Sequence, residues 1–133
     1  MSLVVLTLVT GAIFLIADAV MLPKVIKPMF ERHLGDAILD SPRVVPAALF
    51  YFLYLGGIVW FAGWPALQTG SPSMALLNGA LLGLVAYGTY ELVSWTVMRR
   101  WHPSMVALDM AWGTALSAVS AWGGVLGAQP FVA

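Results

Sequence analysis

The chain has 133 residues, 61% of them hydrophobic and only 9% charged, with a formal net charge of zero. A soluble domain carries roughly 25% charged residues, so a chain this apolar does not cover its surface in water. Cysteine is absent, which excludes disulfides, thiol chemistry and cysteine metal sites. The six basic residues lie beside apolar runs and offer no nucleic-acid surface.

A helix needs about 20 apolar residues to cross a bilayer. Four runs reach that length, over 2–22, 44–64, 74–98 and 104–128. The reading is a single integral membrane domain over 1–133, an all-α protein of four transmembrane helices. In the first run Ala17-Asp18-Ala19 imitates a signal-peptide cleavage site. Signal peptides carry positive charge before the apolar segment, whereas here Lys24 and Lys27 come after it, so a retained helix is expected.

Residues 23–42 change in character. Val25, Ile26, Met29, Phe30, Leu34, Ala37 and Ile38 recur at helical spacing, with Lys27, Glu31, Arg32, Asp36 and Asp40 between them. An amphipathic pattern too short to span predicts an interfacial helix between the first and second spans. The second span carries Tyr51 and Tyr54 in its first half, Gly56-Gly57 near its centre, and Trp60 and Trp64 toward an aromatic belt. Residues 65–73 read as a polar, uncharged loop.

The third and fourth spans form a hairpin about the basic turn Arg99-Arg100-Trp101-His102-Pro103. Gly79 and Gly83 have the small-x-x-x-small spacing that lets membrane helices approach closely. The fourth span has a longer stripe, Asp109, Gly113, Ser117, Ser120, Gly124 and Gly127, stepping by three or four. These are packing faces, together with Gly88, and nothing in the spacing says whether they pack within one chain or between chains. Asp109 lies at the end of its stripe and points into the bundle.

Lys24, Lys27, Arg32, Arg43, Arg99 and Arg100 all fall in or beside the first and third connections. The positive-inside rule makes those connections cytoplasmic and puts both termini on the outer side. At about 1.5 Å per residue, Asp18 then lies one helical turn from the cytoplasmic end, Glu91 two turns, and Asp109 between them. Glu91 and Asp109 flank the hairpin turn at similar distances and so lie at similar depth. An acid inside a membrane costs roughly 2.5–3.5 kcal/mol even on the lenient insertion scale, and such residues often mark proton or ion paths. Asp18, Glu91 and Asp109, with the hydroxyls of Tyr51, Tyr54, Tyr87 and Tyr90, are the candidate ion, proton or ligand site. The plainer reading is structural: the acids pair with Lys24, Arg99 or Arg100, or accept hydrogen bonds from Tyr and Trp, and lock the bundle.

Catalysis has less support. His33 and His102 sit at the cytoplasmic interface, and a metal site from His102, Glu91 and Asp109 lacks the paired-histidine spacing of metalloproteases. No nucleophile elbow or phosphate-binding loop appears, and no cofactor motif is evident.

Tyr87-Gly88-Thr89-Tyr90-Glu91-Leu92 and Asp109-Met110-Ala111-Trp112-Gly113-Thr114 resemble a family of small bacterial four-span membrane proteins of unknown function. Arg32-His33-Leu34-Gly35 and Ala48-Leu49-Phe50-Tyr51-Phe52-Leu53-Tyr54 fit the same pattern. In that family the acid after Tyr-Gly-Thr-Tyr is commonly Asp, followed by Leu-Thr-Asn, whereas here Glu91 is followed by Leu92-Val93-Ser94. The resemblance implies a bacterial inner-membrane location and carries over no activity.

Three classes of function follow. The first is a small binding or transport module for a proton, ion or small solute, working as a homo-oligomer because four short helices enclose little volume. The second is a non-catalytic accessory or assembly subunit of a larger membrane complex, docking through its glycine faces and its interfacial helix. The third and weakest is a membrane enzyme acting on lipid head groups, which needs His102 or a bound metal.

Overall fold

Prolines mark the expected helix ends in this sequence, yet two of the long helices run straight through them. The computed structural model describes residues 1–132 and contains helices, turns and no strand among the described residues. Helix α1, Ser2–Met21, continues through one π-helical turn, Leu22–Ile26, into α2, Lys27–Leu34. Helix α3, Val44–Ile58, continues through a second π turn, Val59–Gly63, into α4, Trp64–Thr69. Each π turn ends two residues before a proline, Pro28 in one case and Pro65 in the other. A proline ring clashes with the carbonyl four residues earlier and has no N–H to give it. Those carbonyls belong to Lys24 and Phe61, each inside its π turn, where the wider winding accommodates the ring.

Two expected boundaries are corrected accordingly. The first span does not stop near residue 22, because the helix continues from Ser2 to Leu34 before Gly35, at a φ of 59°, ends it and a 3-10 turn, Gly35–Ala37, follows. At about 1.5 Å per residue it outruns a hydrocarbon core of about 30 Å, so its charged end projects beyond the core. Nor is the apolar face of residues 23–42 left for an interface. Leu34 is buried with Trp101, Met105 and Val106, flanked by Met29, Phe30, Ile38 and Met110. The segment is an extension of α1 braced against the hairpin turn and the start of the last helix.

The second correction concerns the loop expected over 65–73. The helix persists to Thr69, and the chain reverses at Gly70, whose φ of 69° is the left-handed conformation glycine adopts without cost. Ser71 then caps α5, Pro72–Val97, by accepting the Met74 N–H at 3.3 Å. Helix α6, Pro103–Ala128, follows the basic turn and is capped by Nδ1 of His102, which accepts the Ser104 N–H at 3.1 Å.

Three helical stretches, Ser2–Ala37, Val44–Thr69 and Pro72–Val97, are long and apolar enough to cross a membrane. Helix α6 has the same 26-residue length as α5 but is not among these stretches, so three of the four expected spans are long and apolar enough to cross a membrane. The physical reason lies in its position. Met105, Asp109, Gly113, Leu116, Ser117, Ser120, Ala121, Gly124 and Val125 are all buried, because α6 packs along both α5 and α1. A helix enclosed by others needs fewer lipid-compatible side chains. The main core gathers Leu6 and Phe14 of α1, Tyr54 and Ile58 of α3, and Leu116, Ala121 and Val125 of α6.

Candidate functional site

Close approach of α5 and α6 sets the geometry of the site. A Cβ at Gly79 would lie 2.7 Å from the Ser117 carbonyl oxygen, and one at Gly83 would meet the Gly113 carbonyl. A Cβ at Gly113 would fall on the ring of Tyr87, so that ring lies flat against bare backbone. Gly88 faces the Met110 side chain, and Gly124 faces Thr10 and Leu6 of α1. The small-residue faces are therefore occupied within the chain. Ser117 exchanges a 2.6 Å hydrogen bond with Tyr54, while the hydroxyls of buried Ser120 and Thr10 have no partner among the described residues.

This packing brings Glu91 of α5 against Asp109 of α6, their carboxyl groups adjacent. Glu91 is 0% exposed and Asp109 8%. Oε1 of Glu91 accepts the Trp101 indole N–H at 3.1 Å, whereas Oε2 has no donor among the described residues. Trp101 is itself held edge-to-face between Phe30 and Tyr90. Asp18 of α1, 7% exposed, is bound differently. Its two oxygens accept the Tyr51 hydroxyl at 2.6 Å and the Trp112 indole N–H at 3.1 Å. One carboxylate thus ties α1 to α3 and α6.

Asp18, Tyr51, Tyr87, Tyr90 and Asp109 line one cavity of about 410 Å³, with Leu22, Ile26, Phe50, Ala86 and Trp112. Glu91 stands behind Asp109 as its neighbour and does not line the cavity. Tyr54 lies apart, its hydroxyl spent on Ser117 and its ring packed against Phe14 and Tyr87. The sequence reading does not single out Phe50, Trp101 or Trp112 as site residues. For the two tryptophans a signal exists, an indole N–H donor close to the depth of a buried acid. Trp101 lies in the hairpin turn, and Trp112 stands three residues beyond Asp109 on the same helix.

Of the two expected locks, hydrogen bonds from Tyr and Trp hold Asp18 and Glu91, and basic side chains do not. Among the described residues the salt bridge is between Arg100 and Asp36, 3.7 Å apart on the exposed surface. Asp18, Glu91 and Asp109 have no basic partner there.

The histidines are likewise elsewhere. His33 and His102 stack with ring centroids 4.3 Å apart, and Ser104 Oγ reaches both, at 3.3 Å and 2.7 Å. His102 is engaged in that stack and in capping α6, and no group of three metal-ligating side chains occurs among the described residues. Partial desolvation in the stack, then the charges of His102 and Arg32, hold His33 below its ordinary pKa of 6.5.

No curated protein and no solved structure matches the chain. The buried acids on α1, α5 and α6, and the glycine contacts from Gly79 to Gly124, all fall within residues 3–126. Over that same range the chain matches the family model described as predicted membrane protein (DUF2177), and it belongs to that family.

Proposed function

We propose that this protein is a small binding or transport module of the bacterial inner membrane that takes a proton or a cation at Asp18, Glu91 and Asp109. One observation carries the reading: enclosed Glu91 and Asp109 are adjacent, Asp18 stands in the wall of the cavity that Asp109 lines, and no basic side chain among the described residues neutralises them. Burying an unpaired charge in a medium of low dielectric is expensive, so the cluster demands a positive partner. Two adjacent carboxyls meet that demand by sharing a proton or by holding a cation between them.

The same reading makes α6 a fourth span, shielded from lipid by α1 and α5. The six basic residues at one end of the bundle support a cytoplasmic placement of that end, with both termini on the opposite side. Passage across the bilayer calls for a homo-oligomer, since one copy has few helices with which to enclose a path.

The test is uptake of radioactive sodium and of protons, followed with an internal pH dye, in liposomes holding the purified chain. Wild type is expected to bind or move one of them, and Glu91→Gln and Asp109→Asn to abolish it while keeping their helical circular dichroism. Folded variants that behave as wild type, or a wild type that takes neither of these nor an organic cation, would sink the proposal. The accessory-subunit reading now draws on α3 alone, where none of the described residues lies within 4 Å of a Cβ at Gly56 or Gly57. Native mass spectrometry after gentle extraction decides it, through a stoichiometric complex with a larger, unrelated protein.

A further inference from the structure

We infer that the cavity between α1, α3, α5 and α6 takes an organic cation, an ammonium group carried on an apolar body. This rests on the cation-binding reading above and names the class of cation.

Size is the first reason. A cavity of about 410 Å³ falls in the range of roughly 300–1,000 Å³ that small molecules occupy. A proton needs none of that space. A metal ion needs several oxygen or nitrogen ligands closing to about 2.0–2.6 Å, and the described residues provide no three-ligand group.

The lining is the second reason. Five of the ten lining residues are aromatic: Phe50, Tyr51, Tyr87, Tyr90 and Trp112. Aromatic faces carry negative quadrupole charge and attract cations, and they bind quaternary ammonium groups that cannot donate a hydrogen bond. None of the lining side chains is basic, so an anion would meet two carboxylates and no compensation.

The third reason is the difference between the two acids in the wall. Both oxygens of Asp18 are occupied by Tyr51 and Trp112. Asp109 is more than nine-tenths buried, lines the cavity and receives no N–H or hydroxyl donor among the described residues. Its polar neighbour is another acid, Glu91. Asp109 is therefore the counter-charge aimed into the cavity, and a neutral guest would leave it unanswered. Leu22, Phe50 and Tyr90, all exposed, mark the open side. A second, apolar recess of about 230 Å³ shares the Tyr51 wall and offers room for the apolar body.

The experiment is equilibrium dialysis of labelled benzyltrimethylammonium against the full chain in lipid nanodiscs, with empty nanodiscs subtracted. Saturable binding is expected, displaced by the unlabelled cation and not by neopentylbenzene, its uncharged shape-mate. Asp109→Asn should weaken binding by at least about tenfold. Phe50→Ala, at an exposed position of the wall outside the buried core, should weaken it roughly 2- to 30-fold. Absence of saturable binding to wild type, or wild-type affinity in both variants, would overturn the inference. Sodium and proton uptake on the same preparations separates the two levels. Uptake that depends on Asp109, without binding of the organic cation, leaves the broader reading standing and removes this one. Loss of all three removes both.

Discussion

Trp101 donates its indole N–H to Glu91 across the hairpin turn, at 3.1 Å, and is the donor that this fully enclosed acid has. The turn and the deepest acid are thereby one structural unit. Removing the N–H while keeping an aromatic ring, Trp101→Phe, should cost about 1.5–3 kcal/mol, the range for a hydrogen bond to a charged or strongly polar group. Unfolding in mixed micelles measures it. In a Glu91→Leu background the same substitution should cost much less. Equal losses in both backgrounds would mean that packing against Phe30 and Tyr90 had been measured instead.

Asp18 is the second such unit. Tyr51→Phe and Trp112→Phe each remove one of its two donors, and the pair should be non-additive by about 0.5 kcal/mol or more, as for residues in one network. Additive losses in a double-mutant cycle would show that the two contacts are independent.

Glycines that look alike in the sequence should behave oppositely. Gly113→Ala places a methyl on the Tyr87 ring and should destabilise by about 1–3 kcal/mol through overpacking. Gly57→Ala meets nothing within 4 Å among the described residues and should stabilise its helix by about 0.5–1 kcal/mol. Thermal unfolding of both variants, read by tryptophan fluorescence, gives the signs directly.

The stacked histidines predict a pH dependence of definite sign. His33 is harder to protonate in the folded protein than in the unfolded chain, whose histidine has the ordinary value of 6.5. Below that value the unfolded chain binds more protons, so stability falls as the pH falls. The contribution is complete above pH 6.5 and declines as pH drops toward the folded value. The pH profile of the melting temperature, compared with that of His33→Gln, isolates it. A steeper acid loss in the variant would contradict the prediction.

Much of this arrangement is legible in the residues themselves, and the rest fails to show for identifiable reasons. Approximate symmetry about the Arg99–Pro103 turn places Glu91 near the level of Asp109, because an antiparallel helix pair has a fixed rise. Pro23, Pro28 and Pro65 mislead, because a π turn lets a helix pass a proline that a regular α-helix would not tolerate. The apolar stripe of 23–38 announces that a face is buried without saying what covers it, and the turn at Trp101 proves to be the cover. The aromatic wall of the cavity is the least legible part. Phe50, Tyr87 and Trp112 come from three helices, and which of their faces converge depends on how closely Gly83 and Gly113 let two backbones meet.

Helix α6 is the last of these helices to leave the ribosome, and it supplies Asp109, Trp112 and the backbone on which Gly79, Gly83 and Tyr87 rest. Until it arrives, Asp18 lacks one of its two donors, Glu91 lacks its neighbour, and the glycine face of α5 is bare. The earlier helices include three stretches long and apolar enough to cross a membrane, and α6 packs along the first and the third of them. The site and the packing of the bundle are therefore completed by the same helix, and a chain ending before Pro103 lacks Asp109, Trp112 and the backbone that meets Gly79 and Gly83.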